Sequence, residues 1–337
     1  MISIPTDRPV DVLAVGNAIV DVIAHADQAF LDEHGMVKGS MQLIDDEVVH
    51  RLYEAMGPAV EISGGSAANT AAGIASLGGT VTFVGKVADD QLGEVFGHDI
   101  RAAGVRYEVA PGDASGPATA RCLILVTPDA QRTMNTYLGA SASIGPADVD
   151  AAAVAQAKIV YCEGYLWDQP DAKAAIVKAM DEARATGALV AFTLSDSFCV
   201  DRHRAEFLDL AEGRVDILFA NEDEICSLYE VDDFEAAATA VAGHVSLACL
   251  TRSEQGSVVL TADGQRVMVP AHPIDELVDT TGAGDLYAAG FLHGLASGAD
   301  LPTAGRLGAL AAAEVIGHVG ARPETSLAEL AAADGLA

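Results

Sequence analysis

The sequence predicts an α/β protein with a doubly wound, mostly parallel central sheet flanked by helices, together with a small β-sheet lid. Short, nearly continuous apolar segments alternate with Ala-rich helical segments along most of the 337 residues. Glycines such as Gly78, Gly104 and Gly187 follow several of the helical segments, where a helix commonly ends. Two further stretches lack this alternation and contain shorter, strand-like segments instead.

The candidate strands of the main sheet are short and apolar, as expected for strands covered on both faces. They lie at residues 12–15, 81–84, 159–161, 189–194, 217–220 and 247–250. The candidate helices have apolar residues at helical spacing. They lie at residues 67–77, 91–103, 172–186 and 236–242. Because strands and helices alternate, we expect crossover connections and parallel pairing of the strands.

The two irregular stretches lie at about 19–44 and 118–137. The second contains a candidate hairpin, with strands at 121–126 and 132–137 joined by a turn at 127–130. We expect the stretches to form one small sheet over the carboxyl ends of the main strands, where α/β proteins bind ligands. The alternative, which the pattern alone leaves open, is that both are edge strands of the main sheet.

These assignments divide the chain into two structural units. A large α/β domain is expected to comprise residues 1–16, 45–117 and 138–337, and a small β lid residues 17–44 and 118–137. Such a lid would cover a ligand bound at the main sheet.

The charge of the chain limits its partners. It has 49 acidic and 19 basic side chains, which give a formal net charge of -30. Such a surface repels nucleic-acid phosphates and anionic lipid, so we expect neither nucleic acid nor a membrane as a partner. The apolar segment 301–320 contains Arg306, Glu314 and His318, which argues against a membrane span.

The amino-terminal segment and the cysteines indicate a cellular compartment. Residues 1–11 lack the basic and then apolar pattern of a signal peptide. The five cysteines are far apart and have neither zinc-site spacing nor a Cys-x-x-Cys pair. We therefore expect a cytoplasmic protein with free thiols.

The motif richest in chemistry ends at Asp285. Gly282, Ala283 and Gly284 precede this acid and an apolar helical run at 286–295. The two glycines allow a tight turn that exposes backbone N–H groups at a helix N-terminus, which is an anion cradle. Asp285 is then placed to accept a proton from a hydroxyl aligned with the γ-phosphate of ATP. Taken in isolation, the motif also fits a simple helix cap.

Polar residues in two early segments are candidates for binding a polyol. Gly64 and Gly65 would allow a sugar to approach the backbone closely, and Asn69 can both donate and accept hydrogen bonds. Asn17 and Asp21 follow the first strand, where an amide and a carboxylate can bind vicinal hydroxyls. Each segment alone also fits a capped turn or a loop with satisfied hydrogen bonds.

Asn221 and Glu224 follow another apolar strand, at 215–220. They lie on one face if a helix begins there. Their oxygens suit Mg²⁺, either directly or through its water ligands. An exposed acidic start of a helix is the alternative for this segment.

Together these segments resemble the ribokinase, or phosphofructokinase-B, carbohydrate kinases. The Gly-Gly segment that runs to Gly104 and the segment 279–298 resemble the two signature regions of that family. Asn221-x-x-Glu224 is similar to its magnesium-associated motif, and the segment 251–256 resembles its nucleotide-binding loop. The resemblance covers nearly the whole chain.

The resemblance implies an ATP-dependent kinase that uses Mg²⁺ and binds a small nucleoside or sugar. It assigns the following residues: Asp285 as the base; Gly282, Ala283 and Gly284 as the anion hole; Asn17, Asp21, Gly64, Gly65 and Asn69 as the acceptor site; Thr251, Ser253 and Gly256 with Asn221 as part of the nucleotide site; and Asn221 with Glu224 as the magnesium-associated pair.

Two further properties follow from the resemblance. Asp279 and the segment 317–323 are similar to the loops that hold potassium in some family members, which implies a site for a monovalent cation. Lid sheets in the family either stay free or pair between subunits, so both a monomer and a homodimer are open.

Within the family, the chain most resembles adenosine kinases and related bacterial nucleoside kinases, at residues 16–21, 30–31, 192–195 and 215–224. This implies transfer to the 5′-hydroxyl of a nucleoside such as adenosine, as in purine salvage. The alternatives are a kinase for fructose, ribose or 2-keto-3-deoxygluconate, or a non-catalytic nucleoside or sugar sensor. Tyr165 and Trp167 follow a strand where this branch binds the base, and either residue can stack on a purine or pack in the core.

Overall fold

In a computed structural model that describes residues 2–113, 115–129 and 131–336, the chain forms two β-sheets with helices around them. The strands are β1 (Val10–Val15), β2 (Ile19–His25), β3 (Met41–Leu43), β4 (Ala59–Gly64), β5 (Val81–Val84), β6 (Arg106–Tyr107), β7 (Ala120–Val126), β8 (Arg132–Tyr137), β9 (Ala157–Glu163), β10 (Leu189–Thr193), β11 (Ile217–Asn221), β12 (Leu247–Thr251), β13 (Ser257–Thr261) and β14 (Arg266–Val269).

The helices precede or follow these strands as the sequence pattern predicts. They are α1 (Gln28–Glu33), α2 (Asp46–Ala55), α3 (Ser66–Ser76), α4 (Gln91–Ala102), α5 (Ala151–Gln156), α6 (Pro170–Thr186), α7 (Ser197–Gly213), α8 (Glu222–Tyr229), α9 (Phe234–Val241), α10 (Ala283–Ala296), α11 (Leu301–Val315) and α12 (Leu327–Ala333).

The boundaries of the four candidate helices shift by at most two residues, and α10 begins three residues before the predicted apolar run. The largest shifts among the four occur where local capping starts a helix earlier than its apolar pattern. Pro170 stands at the first position of α6, where its missing N–H costs nothing. The Asp233 side chain accepts from the Ala236 N–H and so begins α9.

The large sheet of the described residues has the strand order β14-β13-β12-β11-β10-β9-β1-β5-β6. Strands β12 through β6 of this order pair in parallel, and β13 pairs antiparallel with both of its neighbours, β12 and β14. This confirms the predicted doubly wound, mostly parallel sheet.

Both faces of the large sheet are buried, as its apolar strands require. Along β9, Ile159 and Tyr161 join the core that contains α3, α10 and α11, whereas Val160 and Cys162 join the core that contains α6 and α7. Successive side chains of a strand point to opposite faces. The near-continuous hydrophobic runs therefore fill two separate cores.

A second, smaller sheet of the described residues has the order β3-β8-β7-β2-β4. It contains strands from both irregular stretches, so they are not edge strands of the main sheet. The predicted turn at 127–130 includes Ala130, which lies outside the described residues.

The small sheet differs from the predicted lid at one segment. Strand β4, which the sequence pattern places in the large domain, pairs antiparallel with β2 from Ile19 opposite Gly64 to Ala24 opposite Ala59. Its Val60 and Ile62 are exposed, so the segment lacks the buried apolar pattern of the strands in the large sheet. The small sheet thus includes a segment that lies within the range expected for the large domain.

Two findings concern the described residues taken together. None of the helices in the described residues is long and apolar enough to cross a membrane. All five cysteines are free: Cys122, Cys162, Cys199 and Cys249 are buried, and Cys226 is half-buried.

Candidate active site

A cavity of about 1060 Å³ lies between the large and the small sheet. Most residues that the sequence analysis singled out form its wall: Asn17, Asp21, Gly65, Asn69, Asn221, Glu224, Thr251, Ser253, Gly256, Gly282, Ala283, Gly284 and Asp285. Gly64 and Asp279 lie outside this wall. The fold therefore brings together segments that are far apart in the chain, because the carboxyl ends of parallel strands meet at one edge of a sheet.

Asp285 lies in the first turn of α10 and connects it to α3. Its Oδ1 accepts a hydrogen bond from Ser66 Oγ at 2.6 Å, and its Oδ2 accepts one from Asn69 Nδ2 at 3.0 Å. Burial raises the pKa of Asp285 to about 6, against the opposing effect of these hydrogen bonds and of the Arg322 charge. A carboxylate of this kind is ionised at neutral pH and can accept a proton there.

The segment before Asp285 forms an anion cradle. Gly282 has φ +80°, and a Cβ there would lie 2.9 Å from Ala321 Cα, so this position requires glycine. The backbone N–H groups of Gly284 and Asp285 donate to no atom of the described residues. A Cβ at Gly284 would meet no atom within 4 Å. These N–H groups and the helix dipole therefore face open space suited to an anion.

Asp279 holds the loop that leads into this cradle. Its Oδ1 accepts from the Thr281 N–H at 3.1 Å and from Thr281 Oγ1 at 2.8 Å. Its Oδ2 accepts from the Gly320 N–H at 3.0 Å and lies 2.7 Å from Arg132 Nη2. Both carboxylate oxygens are thus engaged, and a positive charge beside them comes from Arg132 of β8.

Asp21, on β2, lies directly over Gly64. A Cβ at Gly64 would be 2.3 Å from Asp21 Oδ2, so this glycine makes room for the carboxylate and not for a sugar. Gly65 has φ +96°, and a Cβ there would lie 2.2 Å from the Asn17 carbonyl oxygen. Burial raises the pKa of Asp21 to about 7, although the charges of Arg322 and Arg132 oppose this.

Asn17 is held by Glu163, which the sequence analysis missed. The Asn17 N–H and Nδ2 donate to Glu163 Oε1 at 2.7 and 2.6 Å, and Ser141 Oγ donates to Asn17 Oδ1 at 2.8 Å. Glu163 Oε2 accepts from the Ala67 N–H at 2.7 Å, at the start of α3. The Asn17 amide is thus oriented by the protein, and its remaining N–H and lone pair are what a ligand can use.

Glu163 ends β9 and is fully buried. Burial raises its pKa to about 7, against its three hydrogen bonds. The only signal of it in the sequence is an acid at the carboxyl end of an apolar strand. Arg132 and Arg322 carried even less signal, because both pair with residues more than a hundred positions away.

Asn221 and Glu224 form a capping box at the start of α8. Asn221 Nδ2 donates to Glu224 Oε1 at 2.6 Å, and Asn221 Oδ1 accepts from the Glu224 N–H at 2.8 Å. Burial raises the pKa of Glu224 to about 7. Because the two side chains satisfy each other, they fit a Mg²⁺ ion reached through water better than direct coordination by both.

No group of three or more His, Cys, Asp or Glu side chains that could hold a metal ion occurs in the described part of the chain. Mg²⁺ in phosphoryl-transfer sites is commonly held by one or two carboxylates together with phosphate oxygens and water. The residues present fit such an ion and no dedicated metal cage.

The predicted nucleotide loop follows β12. Thr251 ends the strand, and Ser253 has φ +50°. Gly256 has φ +81°, and a Cβ there would lie 2.1 Å from the Val269 carbonyl oxygen. The Arg252 side chain turns away to pair with Glu222 at 2.9 Å. The loop therefore presents its backbone and small side chains to the cavity.

The two aromatic candidates for base stacking have different positions. Trp167 is buried in the core edge-on to Phe192 and Phe207, and its Nε1 donates to Glu206. Stacking by Trp167 on a ligand is therefore excluded, and the core alternative is correct. Tyr165 lies in the cavity wall, and its hydroxyl donates to the Ser195 carbonyl oxygen at 3.1 Å.

Much of the cavity wall is apolar. Side chains of the small sheet and its flanking segments contribute to it: Ile19, Met41, Leu43, Ile124, Met134 and Leu138. Phe198 adds an aromatic ring that is 61% exposed. The small sheet thus gives the cavity a broad hydrophobic surface.

Comparisons with known proteins match nearly the whole chain. It is 55% identical to a solved structure of adenosine kinase from Sinorhizobium meliloti, with a TM-score of 0.90 and coverage of 96% of this chain and 99% of that one. It is 53% identical to a probable sugar kinase protein from Rhizobium etli CFN 42, with a TM-score of 0.92 and coverage of 98% and 100%.

A curated relative has a different name. The 5-dehydro-2-deoxygluconokinase of Geobacillus thermodenitrificans is 27% identical over 319 residues, which cover 92% of this chain and 88% of the relative. The sequence model of the pfkB family carbohydrate kinases matches residues 53–327. The chain belongs to the pfkB family of carbohydrate kinases.

Proposed function

We propose that this phosphotransferase, whose family uses an alcohol as acceptor, transfers the γ-phosphate of ATP to the 5′-hydroxyl of a nucleoside such as adenosine. The observation that carries the proposal is the position of Asp285. Its buried carboxylate lies in the first turn of α10, beside the unpaired N–H groups of the anion cradle, in a cavity with an apolar end. A group that can act as the base and a group of donors that can stabilise the charge of the transferring phosphoryl group thus lie next to each other.

The proposed mechanism uses positioning and charge stabilisation. Asp285 accepts the proton of the attacking hydroxyl, while the N–H groups of Gly284 and Asp285 stabilise the charge of the transferring group. Asp21 binds the secondary hydroxyls and so directs the primary hydroxyl toward Asp285. Mg²⁺, when bound near Asn221 and Glu224, would neutralise charge on the phosphate oxygens.

The apolar wall supports a nucleoside as acceptor. A purine has two apolar faces that can cover Ile124, Met134 and Phe198, whereas a free hexose is polar all round and would leave them exposed. The likeness to the Sinorhizobium meliloti protein, which is named adenosine kinase, supports the same acceptor. The ribose hydroxyls would lie at the polar end, near Asp21 and Asn69.

A sugar kinase is the second candidate. Two of the similar proteins have sugar-kinase names, and the polar end of the cavity suits a free sugar as well as a ribose. A non-catalytic sensor is the third reading. Against it stands Asp285, because simple binding of a polyol does not require a carboxylate beside an anion cradle.

The discriminating experiment is a side-by-side measurement of ADP release from MgATP. The acceptors are adenosine, guanosine, ribose, fructose, 2-keto-3-deoxygluconate and 5-dehydro-2-deoxygluconate. We expect kcat/KM for adenosine to exceed that for each sugar by about 100-fold or more, because only the base fills the apolar wall. Preference for a sugar would overturn the acceptor, and binding without turnover of any acceptor would favour the sensor.

The site of phosphorylation tests the proposed pose. Phosphorus NMR of the adenosine product should show a phosphate on the primary 5′-oxygen. A product phosphorylated on a 2′- or 3′-hydroxyl would mean that Asp21 does not bind the secondary hydroxyls.

Dependence on a monovalent cation stays a prediction. Because both Asp279 oxygens are engaged, a potassium ion near residues 317–323 would have to use mainly backbone carbonyl groups. Equal rates in potassium and in tetramethylammonium at the same ionic strength would count against it.

A further inference from the structure

Arg322 lies in the loop between α11 and α12, and its side chain reaches back to α3. Its Nε donates to Asn69 Oδ1 at 3.1 Å, and Asn69 Nδ2 donates to Asp285 Oδ2 at 3.0 Å. A guanidinium has only donors, so the amide atom that faces it must be the oxygen. Arg322 thereby fixes which end of the Asn69 amide is presented to Asp285.

The environment of Arg322 is unusual for an arginine. Its Nη2 is buried and has no hydrogen-bond partner among the described residues. A buried donor without a partner generally destabilises a protein. Burial lowers the pKa of Arg322 to about 10, so the side chain stays charged at neutral pH. Its charge acts on Asp21, Asp99 and Asp285, which belong to three different elements.

The loop that carries Arg322 is tied down on both sides. Glu314 Oε1 accepts from the N–H groups of Glu324 and Thr325 at 3.0 and 2.8 Å. On the other side, the Gly320 N–H donates to Asp279, and Ala321 packs against Gly282 of the anion cradle. The loop is thus a rigid support for the guanidinium, which leaves little freedom to the Asn69 amide.

We propose that Arg322 is a positioning residue for phosphoryl transfer: it orients the Asn69 amide against Asp285 and places a fixed positive charge behind Asp285 and Asp21. This inference rests on the proposed role of Asp285 as the base. Arg322 itself does not lie in the cavity wall, and it acts through its neighbours.

The charge is needed because the surroundings of Asp285 are acidic. Buried titratable groups that interact electrostatically with Asp285 include the acids Asp21 on β2, Glu163 on β9 and Glu224 on α8, and the neutral phenols of Tyr161 on β9 and Tyr165 after it. Burial and negative neighbours favour the protonated acid, which cannot act as a base. The Arg322 charge opposes this and keeps the carboxylate available at neutral pH.

The test is the pH dependence of kcat for Arg322→Gln with adenosine and MgATP. Gln retains an N–H donor for Asn69 but removes the charge. We expect the acidic limb of the profile to move to higher pH, so that the loss of kcat is about tenfold or more near pH 6.5 and clearly smaller near pH 8.5. An equal loss at every pH would show a merely structural role, and an unchanged profile would also overturn the proposal.

Two variants and one control complete the test. Arg322→Lys retains the charge, so the acidic limb of its pH profile should lie where it does in the wild type, even if kcat is lower. This variant provides the readout if Arg322→Gln does not fold. A shifted acidic limb in Arg322→Lys would overturn the proposal. Arg306→Gln changes an exposed arginine of α11 and should leave the profile unchanged. Near-UV circular dichroism reports whether each variant is folded.

Asp285→Asn separates this inference from the proposed function. If Asp285→Asn retains wild-type turnover, the base assignment fails. If Asp285→Asn is inactive while Arg322→Gln has the wild-type pH profile, only the role of Arg322 fails.

Discussion

Ser66 Oγ donates a hydrogen bond to Asp285 Oδ1 at 2.6 Å across 219 residues of sequence. The first residue of α3 and the first turn of α10 thus meet at one carboxylate. Asn69 donates a hydrogen bond to the second oxygen, so the orientation of the carboxyl group is fixed at both oxygens. A base held in this way is preorganised for a hydroxyl that arrives from the cavity.

Replacement of the base should separate chemistry from binding. Asp285→Asn retains the size of the side chain but removes the basic oxygen, so we expect kcat to fall by roughly 10²–10⁴-fold. KM for both substrates should change little, because the carboxylate acts mainly in the transition state. Steady-state kinetics with MgATP and adenosine measures both. Asp300→Asn, an exposed helix cap in which asparagine caps equally well, is the matched control.

The pH dependence of turnover follows from the raised pKa of Asp285. The base must be ionised to act, and burial raises its pKa to about 6, so activity should be lost as the pH falls through that value. Asp21, with a pKa of about 7, should add a second loss in kcat/KM for the acceptor below neutral pH. Because the two acids interact, the two apparent values belong to the pair. A flat profile between about pH 5 and 8 would contradict these assignments.

Asp21→Ala should affect the acceptor more than ATP. The carboxylate is buried in the cavity wall and can accept from two hydroxyls. We expect a higher KM for adenosine, a smaller decrease of kcat through misplacement of the 5′-hydroxyl, and an unchanged KM for ATP. The opposite pattern, with KM for ATP raised and that for adenosine unchanged, would place Asp21 in the nucleotide site.

The local motifs were predictable and the tertiary ones were not. Gly282, Gly284 and Asp285 are adjacent in sequence, and their chemistry depends on one turn of backbone. Glu163 and Arg322 act on Asn17 and Asn69 from 146 and 253 residues away, so no short pattern indicates them. Gly64 was predicted to face a sugar, because its sequence shows the missing side chain but not that Asp21 fills the space.

The two glycines of the cradle should respond in opposite ways to alanine. Gly284→Ala adds a methyl group in open space at the start of a helix, so the free energy of unfolding should be unchanged or higher by up to about 1 kcal/mol. The same methyl occupies the cradle, so kcat should fall by at least about tenfold. Chemical unfolding and kinetics of the same preparation measure both quantities.

Gly282→Ala serves as the comparison. Its φ of +80° and the contact with Ala321 should lower the free energy of unfolding by about 1–2 kcal/mol or more. If Gly284→Ala were the more destabilising of the two, the space above Gly284 would not be open, and the anion cradle would be wrongly placed.

Glu163→Gln tests the buried carboxyl that orients Asn17. The Gln carbonyl can still accept from the Asn17 N–H and Nδ2, but its amino group would face the Ala67 N–H, so one donor loses its acceptor. We expect the free energy of unfolding to fall by about 1–3 kcal/mol and KM for adenosine to rise.

Burial raises the pKa of Glu163 from its usual 4.5 to about 7, so between these values the native state holds a proton that the unfolded chain has released. The contribution of Glu163 to stability therefore decreases as the pH rises through this window, and the difference between wild type and Glu163→Gln should be larger near pH 5 than near pH 8. Urea unfolding at the two pH values measures it, with Glu235→Gln, whose side chain is 66% exposed, as the matched control. A difference that grew with pH would mean that Glu163 is ionised throughout and that its three donors outweigh its burial.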